Sequence, residues 1–393
     1  MDVALNAQGS TLLERARRVA GIAGQHADDV DRHARFPREA VDALISERLL
    51  SIQIPVTLGG EGATTAQIAE ACTVLGQACS ASAMIFAMHH IKLSSLVTHG
   101  GDSPWHQSFM RRIVDEQLLI ASATTEGGIG GNMRNSICAI EVDGDTCRLQ
   151  KDATVISYGR HADAILITSR AHPDAVTTDQ VMTVFTKDQY TLERTNEWDT
   201  LGMRGTCSEG YLFKGEAPKE QILPKPFAEI AAQSMLASSH LLWGGVWYGI
   251  AVNAMTRAQA FVRAAARKSP GQTPPGALHL AEASSLLQQV RANVTAGLAR
   301  YEAALVEPEL LSSMGFSVAM NNVKLAVSRT VPEIIDHAMQ ITGIMGYKNG
   351  TPFSLGRHLR DAQSAQLMIS NDRILANTSN MLLVNKIETN LLG

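Results

Sequence analysis

The stretch Ala123-Thr124-Thr125-Glu126-Gly127-Gly128-Ile129-Gly130-Gly131-Asn132 has residue types suited to holding a ligand. Four glycines in the five residues 127–131 leave no Cβ between the backbone and a flat ring or a phosphate. The same residues suit a loose surface turn. Their spacing is not G-x-G-x-x-G and no helical pattern follows at once, which argues against a dinucleotide site of the doubly wound kind. His89 and His90 are adjacent, so they cannot share one helix face, and a metal pair is excluded there. Arg267 closes a long apolar segment. Its guanidinium fork suits a diphosphate and equally a solvated helix end. The cysteines at 72, 79, 138, 147 and 207 form no C-x-x-C pair. An odd count without a charged-then-apolar leader at Met1–Asn6 predicts reduced thiols and a cytoplasmic protein.

These residues need elements to hold them. With 393 residues, the chain is long enough for two or three domains. Hydrophobic residues make up 45% and aromatics only 5%, a balance that suits packed helices. A net charge of −4 without a basic patch excludes nucleic acid as a partner, and no apolar run is long enough to span a membrane. Residues 10–120 read as helices. Ser10 or Thr11 is the expected cap of the first, Pro37 marks a helix start, and Thr64 to His90 reads as a helix pair. Residues 120–222 change character. Strands are predicted at Ile137–Val142, Thr154–Ser157, Ala164–Thr168, Val181–Phe185 and Gly210–Phe213, with a hairpin turn at Asp143-Gly144-Asp145. From about 228 the helical pattern returns, with long helices at Leu236–Ala266, Ala281–Val306 and Met314–Ile344 and more within Asp361–Leu392. The fold class is therefore multi-domain α+β. An all-α segment spans 1–119, a small β-barrel 120–223 and a four-helix bundle 224–393.

The order of several short segments carries a resemblance. The glycine-rich stretch resembles the "TEPxAGSD" loop of the acyl-CoA dehydrogenase family. Leu201-Gly202-Met203-Arg204-Gly205-Thr206 is similar to its "GMRxS/T" segment. Arg267-Lys268-Ser269-Pro270-Gly271, Gln340-Ile341-Thr342-Gly343-Ile344-Met345-Gly346-Tyr347 and Arg360-Asp361-Ala362 resemble "RxxFG", "QxxGGxGY" and "RDA", in the family's order. The resemblance covers nearly the whole chain and implies the helices–strands–bundle architecture and a bound FAD. It places Thr125, Glu126, Gly130 and Gly131 along the cofactor, and Ser157 opposite flavin N5. It also places Arg267, Gln340 and Gly343 on the FAD of a neighbouring subunit, which implies a homo-oligomer, a dimer or tetramer. Met88-His89 matches a pair near the family's active-site cavity. Three positions depart from the pattern around the flavin: Val155 where an aromatic is usual, Gly131 where serine is usual, and Pro270 where phenylalanine is usual.

The resemblance also implies α,β-dehydrogenation of an acyl thioester, carried by CoA or a carrier protein, with hydride passing to flavin N5. That reaction needs a carboxylate base. Counting along "RDAxxxxxxE" from Ala362 gives Ile369, and Leu236–Arg263 contains no Asp or Glu. The family's CoA-anchoring Asp and Arg match Ala237 and His240. Asp372 and His240 are the candidate catalytic residues. Asp372 equally suits a surface cap and His240 a satisfied core histidine. Two further readings stand beside dehydrogenation. One is a two-component flavin monooxygenase using reduced flavin and O₂ on a substrate without CoA. The other is a flavoprotein fold without catalysis. The expected partners are a small organic substrate and an electron-transfer protein or flavin reductase.

Overall fold

The computed structural model describes residues 10–129 and 132–389. Gly130, Gly131 and the residues before 10 and after 389 lie outside it. Five helices come first: α1 (Leu12–His33), α2 (Arg38–Ser46), α3 (Thr65–Ala78), α4 (Ser80–His99) and α5 (Pro104–Glu116). Thr11 caps α1 in a capping box with Glu14, which satisfies two N-terminal amides. Pro37 sits at the N-cap of α2.

Seven strands follow: β1 (Ile120–Ala123), β2 (Glu141–Asp143), β3 (Thr146–Ala153), β4 (Ala164–Arg170), β5 (Gln180–Thr186), β6 (Tyr190–Asn196) and β7 (Gly210–Pro218). They make two sheets, ordered β1-β4-β5 and β2-β3-β7-β6. The sheets meet through Phe185 and Phe213, whose ring centroids are 5.1 Å apart. Two expected strands are corrected. Thr154–Ser157 is a turn, because β3 ends at Ala153 and the next amides reach into 206–209 instead of a ladder. Of Ile137–Val142, Glu141 and Val142 pair in β2 and Ala139 makes only an isolated bridge to Arg170, while the amides of Ile137 and Cys138 donate to the Glu126 carboxylate.

The chain then returns to helix: α6 (Phe227–Ile230), a single π-helical turn (Ala231–Met235), α7 (Leu236–Lys268), α8 (Ala277–Ala304), α9 (Met314–Thr342), α10 (Ile344–Tyr347), α11 (Gly356–Leu367) and α12 (Asn371–Leu382). Helix α7 is the central post. Over its first two-thirds it is buried almost all round, as its lack of acidic residues leads one to expect. It crosses α3 at close range. A Cβ on Gly249 would stand 2.4 Å from the Thr73 carbonyl, and one on Gly76 2.6 Å from that of Val246. Only glycine lets two helix backbones approach so nearly. The amino-terminal helices and the carboxy-terminal bundle thus share one core.

Candidate functional site

The glycine-rich loop is tied to the end of β3. The Gly127 amide donates to the Asp152 carbonyl (3.1 Å), and Thr154 Oγ1 donates to Thr125 Oγ1 (3.1 Å). Gly128 has φ +87°, a conformation that favours glycine. Ser157 follows three residues after Thr154, so Thr125 and Ser157 come from distant sequence to one edge of the strand domain. The Ser157 turn is firmly built. Ile156 N donates to Glu209 O (2.9 Å), Tyr158 N to Thr206 O (2.8 Å), and the buried Tyr158 hydroxyl to Ile120 O (2.9 Å).

Ser157 itself is half-buried and ends a hydroxyl chain. Thr206 Oγ1 donates to the Met203 carbonyl (2.9 Å), Ser208 Oγ lies 2.8 Å from Thr206 Oγ1, and Ser208 Oγ donates to Ser157 Oγ (2.8 Å). Since Ser157 Oγ accepts from Ser208 Oγ, its own hydrogen is available to a ligand. The chain of hydroxyls was not foreseen; the signal for it was the alternating Thr206-Cys207-Ser208.

Glu126 plays a different part from the one expected. Its carboxylate turns inward, accepting from Ser136 Oγ (2.6 Å), Ile137 N (2.8 Å) and Cys138 N (3.0 Å), with Lys151 Nζ 3.9 Å away. Burial opposes its ionisation, but the Lys151 charge and these donors hold its pKa below the usual carboxylate range. It shapes the loop, and only its backbone is free to meet a ligand.

A second polar group lies inside the bundle. Lys324, fully buried, donates to the Ile369 carbonyl (2.7 Å) and Asn371 Oδ1 (2.6 Å), and Ser328 Oγ also donates to Asn371 Oδ1 (3.1 Å). No carboxylate among the described residues pairs with this ammonium, and burial lowers its pKa to about 8. Ile369 has φ +51°, a strained conformation for a β-branched residue, at the position matched to the family's base. His240 faces the same region from α7. It is buried, and neither ring nitrogen makes a hydrogen bond of ordinary geometry among the described residues. Burial first, then the Lys324 charge, pushes its pKa down to about 3, so the ring is neutral. Asn321 is a polar neighbour that raises it slightly, too poorly aligned to count as a bond.

Asp372 is not drawn into this group. It is exposed on the first turn of α12, while its neighbour Asn371 faces inward. Adjacent helix positions diverge around the axis, so only one of the two can face the core. Lys324 binds the main chain at Ile369, the position matched to the family's base. Arg267, Gln340 and Gly343 are exposed at the far end of α7 and α9. The loop after Arg267 packs on the end of α9, since a Cβ on Gly276 would touch Ile341 at 3.3 Å. Arg267 lies about 40 Å along α7 from His240 at the helical rise per residue.

Two of the motifs prove to be architectural. Met203 N donates to Asp361 Oδ1 (2.7 Å), Arg360 donates to the Leu201 carbonyl (2.9 Å), and a Cβ on Gly202 would meet the Arg360 carbonyl at 2.3 Å. Arg360 also pairs with Asp31 of α1, and Arg204 donates to the Asp31 carbonyl (3.0 Å). The turn at 201–206 and the Arg360-Asp361-Ala362 segment therefore lock α1, the strands and α11 together. A cleft of about 760 Å³ between Arg148, Arg170, Asp188 and Lys214 includes none of the candidate site residues.

Comparison with known proteins bears on the family and the fold. The chain is 25% identical over 358 residues to the probable acyl-CoA dehydrogenase FadE25 of Mycobacterium leprae, covering 89% of this chain and 88% of that one. It is 24% identical to the amino sugar nitrososynthase DnmZ of Streptomyces peucetius, covering 92% and 89%. Its fold matches FMN-bound TdsC of Paenibacillus sp. A11-2 with a TM-score of 0.81 at 20% identity, covering 96% and 98%. Residues 9–117 match the model for the acyl-CoA dehydrogenase N-terminal domain and 230–379 that for the C-terminal domain. On motif order, architecture and these matches together, the chain belongs to the acyl-CoA dehydrogenase family.

Proposed function

We propose that the protein is a flavin-dependent enzyme that uses reduced flavin and O₂ to oxidise a small substrate carrying no CoA. One observation carries this reading: the interior position matched to the family's base is Ile369, and the charged group beside it is an ammonium, Lys324. Lys324 donates to the Ile369 carbonyl and to Asn371 Oδ1, so it is set as a hydrogen-bond donor and not as the carboxylate acceptor that the family's α-proton abstraction uses. Ala237 and His240, in place of the CoA anchors, agree with it. Relatives named for chemistry other than dehydrogenation, the nitrososynthase DnmZ and the dibenzothiophene monooxygenase TdsC, support it further.

The residues fit a flavin. The loop at 125–128 is tied beside Thr154, and Ser157, three residues on, accepts from Ser208 and keeps its own hydrogen for a ligand. Bound flavin supplies the electrons that activate O₂. Arg267 would meet the diphosphate of FAD from a second subunit, and Gln340 and Gly343 the other end of the same FAD, since a single chain separates Arg267 widely from the interior group. Inside the bundle, Lys324 retains a third N–H for a substrate oxygen, and neutral His240 offers one nitrogen to donate and one to accept a hydrogen bond. Burial among α4, α7 and α9 excludes water from that chemistry.

The test has two arms. The FAD-loaded protein is mixed anaerobically with a panel of acyl-CoA thioesters, and no bleaching of the oxidised flavin band is expected. Supplied with a flavin reductase and NADH, the protein is then expected to incorporate ¹⁸O from O₂ into amine- or hydroxyl-bearing test substrates. Bleaching by any acyl-CoA would overturn the reading in favour of dehydrogenation.

A further inference from the structure

About 20 Å further along α9 than Lys324 at the helical rise per residue, three side chains of metal-ligating type converge where α8 begins and α9 ends. His279 and Glu282 are three residues apart, hence on one face of α8. His337 comes across from α9. The two Nδ1 atoms are 3.2 Å apart; Glu282 Oε2 is 3.6 Å from His279 Nδ1 and 3.8 Å from His337 Nδ1. In a tetrahedral zinc site with bonds of about 2.0–2.2 Å, neighbouring ligand atoms lie roughly 3.3–3.6 Å from one another. The observed triangle departs from that edge by only a few tenths of an ångström. Two neutral imidazoles this close can otherwise share only a single proton.

We propose that His279, Glu282 and His337 form a site for a divalent transition metal of the zinc class, clipping α8 to α9. Two imidazole nitrogens and one carboxylate oxygen select zinc, cobalt or nickel over magnesium or calcium, which prefer all-oxygen sets. The three side chains leave a fourth tetrahedral position for water or another ligand. Access is open, since the side chains of His279 and Glu282 are 45% and 64% exposed, while His337, at 18%, anchors the site. The clip sits one helical turn before Gln340 and would fix the end of α9 there. It is independent of the flavin chemistry.

The experiment is calorimetric titration of the full-length, chelator-treated protein with Zn²⁺. One site per chain is expected. Its affinity should fall at least tenfold in His279→Ala and in His337→Ala, and less in Glu282→Gln. Co²⁺ in place of zinc should give the visible d–d absorption of a tetrahedral site, abolished by either histidine variant. Melting curves without metal establish that each variant is folded; if one is not, the cobalt spectrum of the unaltered protein decides. No saturable uptake, an octahedral cobalt spectrum, or binding that survives both histidine substitutions would overturn the site.

Discussion

Ser157 owes its usefulness to residues that touch no ligand. Ser208 Oγ donates to Ser157 Oγ, and Thr206 Oγ1 lies 2.8 Å behind Ser208. Ser208→Ala should leave the fold intact and free the Ser157 hydroxyl to turn inward. A lost hydrogen bond of about 1 kcal/mol would weaken flavin binding roughly fivefold. Fluorescence titration measures this, and an unchanged affinity would show that Ser157 needs no orientation. Lys324 makes a separate claim about pH. Its pKa is about 8 when folded, against an ordinary value of 10.5. Between those values the unfolded chain holds the proton and the folded one does not, so stability rises with pH across that window. Below pH 8 the cost of burying the charge is fully present. Buried Lys92, whose pKa is also lowered to about 8 and whose amine donates to the Met235 sulfur, adds to the same rise. Denaturant melts from pH 7.5 to 10 should show the rise, and Lys324→Met should diminish it. An identical profile in the variant would refute the assignment.

At the scale of elements, the crossing of α3 and α7 joins the two helical regions. Gly76 and Gly249 let the backbones touch, and Gly245 approaches the Ala69 carbonyl at 2.6 Å by the same measure. Thr73 Oγ1 adds hydrogen bonds to the Ala69 and Gly245 carbonyls (3.0 and 3.1 Å). A methyl group at 249 has no room, because what it meets is backbone. Gly249→Ala should therefore destabilise by about 1–3 kcal/mol, the usual range for overpacking, although alanine is the better helix former. Thermal melting gives the sign directly, and a raised Tm would mean that the helices can slide apart cheaply.

For the molecule as a whole, acid is the expected weakness. His89, His90, His106, His240 and His358 are all buried, and burial holds each pKa below the ordinary 6.5. As pH falls below 6.5 the unfolded chain takes up protons that the folded one refuses, so stability is lost. Each such histidine contributes a slope of up to about 1.4 kcal/mol per pH unit, and five together approach about 7. Denaturation midpoints at pH 7, 6 and 5 should fall with increasing steepness; a flat profile would mean the rings are charged in place. Arg267 tests the assembly. If it meets the FAD of a second subunit, Arg267→Ala should weaken FAD binding about tenfold and leave FMN binding unchanged, since FMN lacks the adenylate half. Equal loss for both flavins would place Arg267 elsewhere.

Much was legible in the sequence because it is local. Capping at Thr11, the acid-free length of α7 and the change from helical to strand periodicity near residue 120 depend on neighbours a few residues apart. The ordered motifs pointed to the family, and the absence of a carboxylate at Ile369 was countable. What fills that absence was not countable. Lys324 lies 45 residues before Ile369, and nothing in its surroundings on α9 marks it as a buried cation. The direction of Glu126, the hydroxyl chain behind Ser157 and the exposure of Asp372 likewise depend on which side of a turn or helix meets the core. Those choices are made by packing between elements distant in sequence, where one residue of register decides whether a side chain meets solvent, a partner or the site.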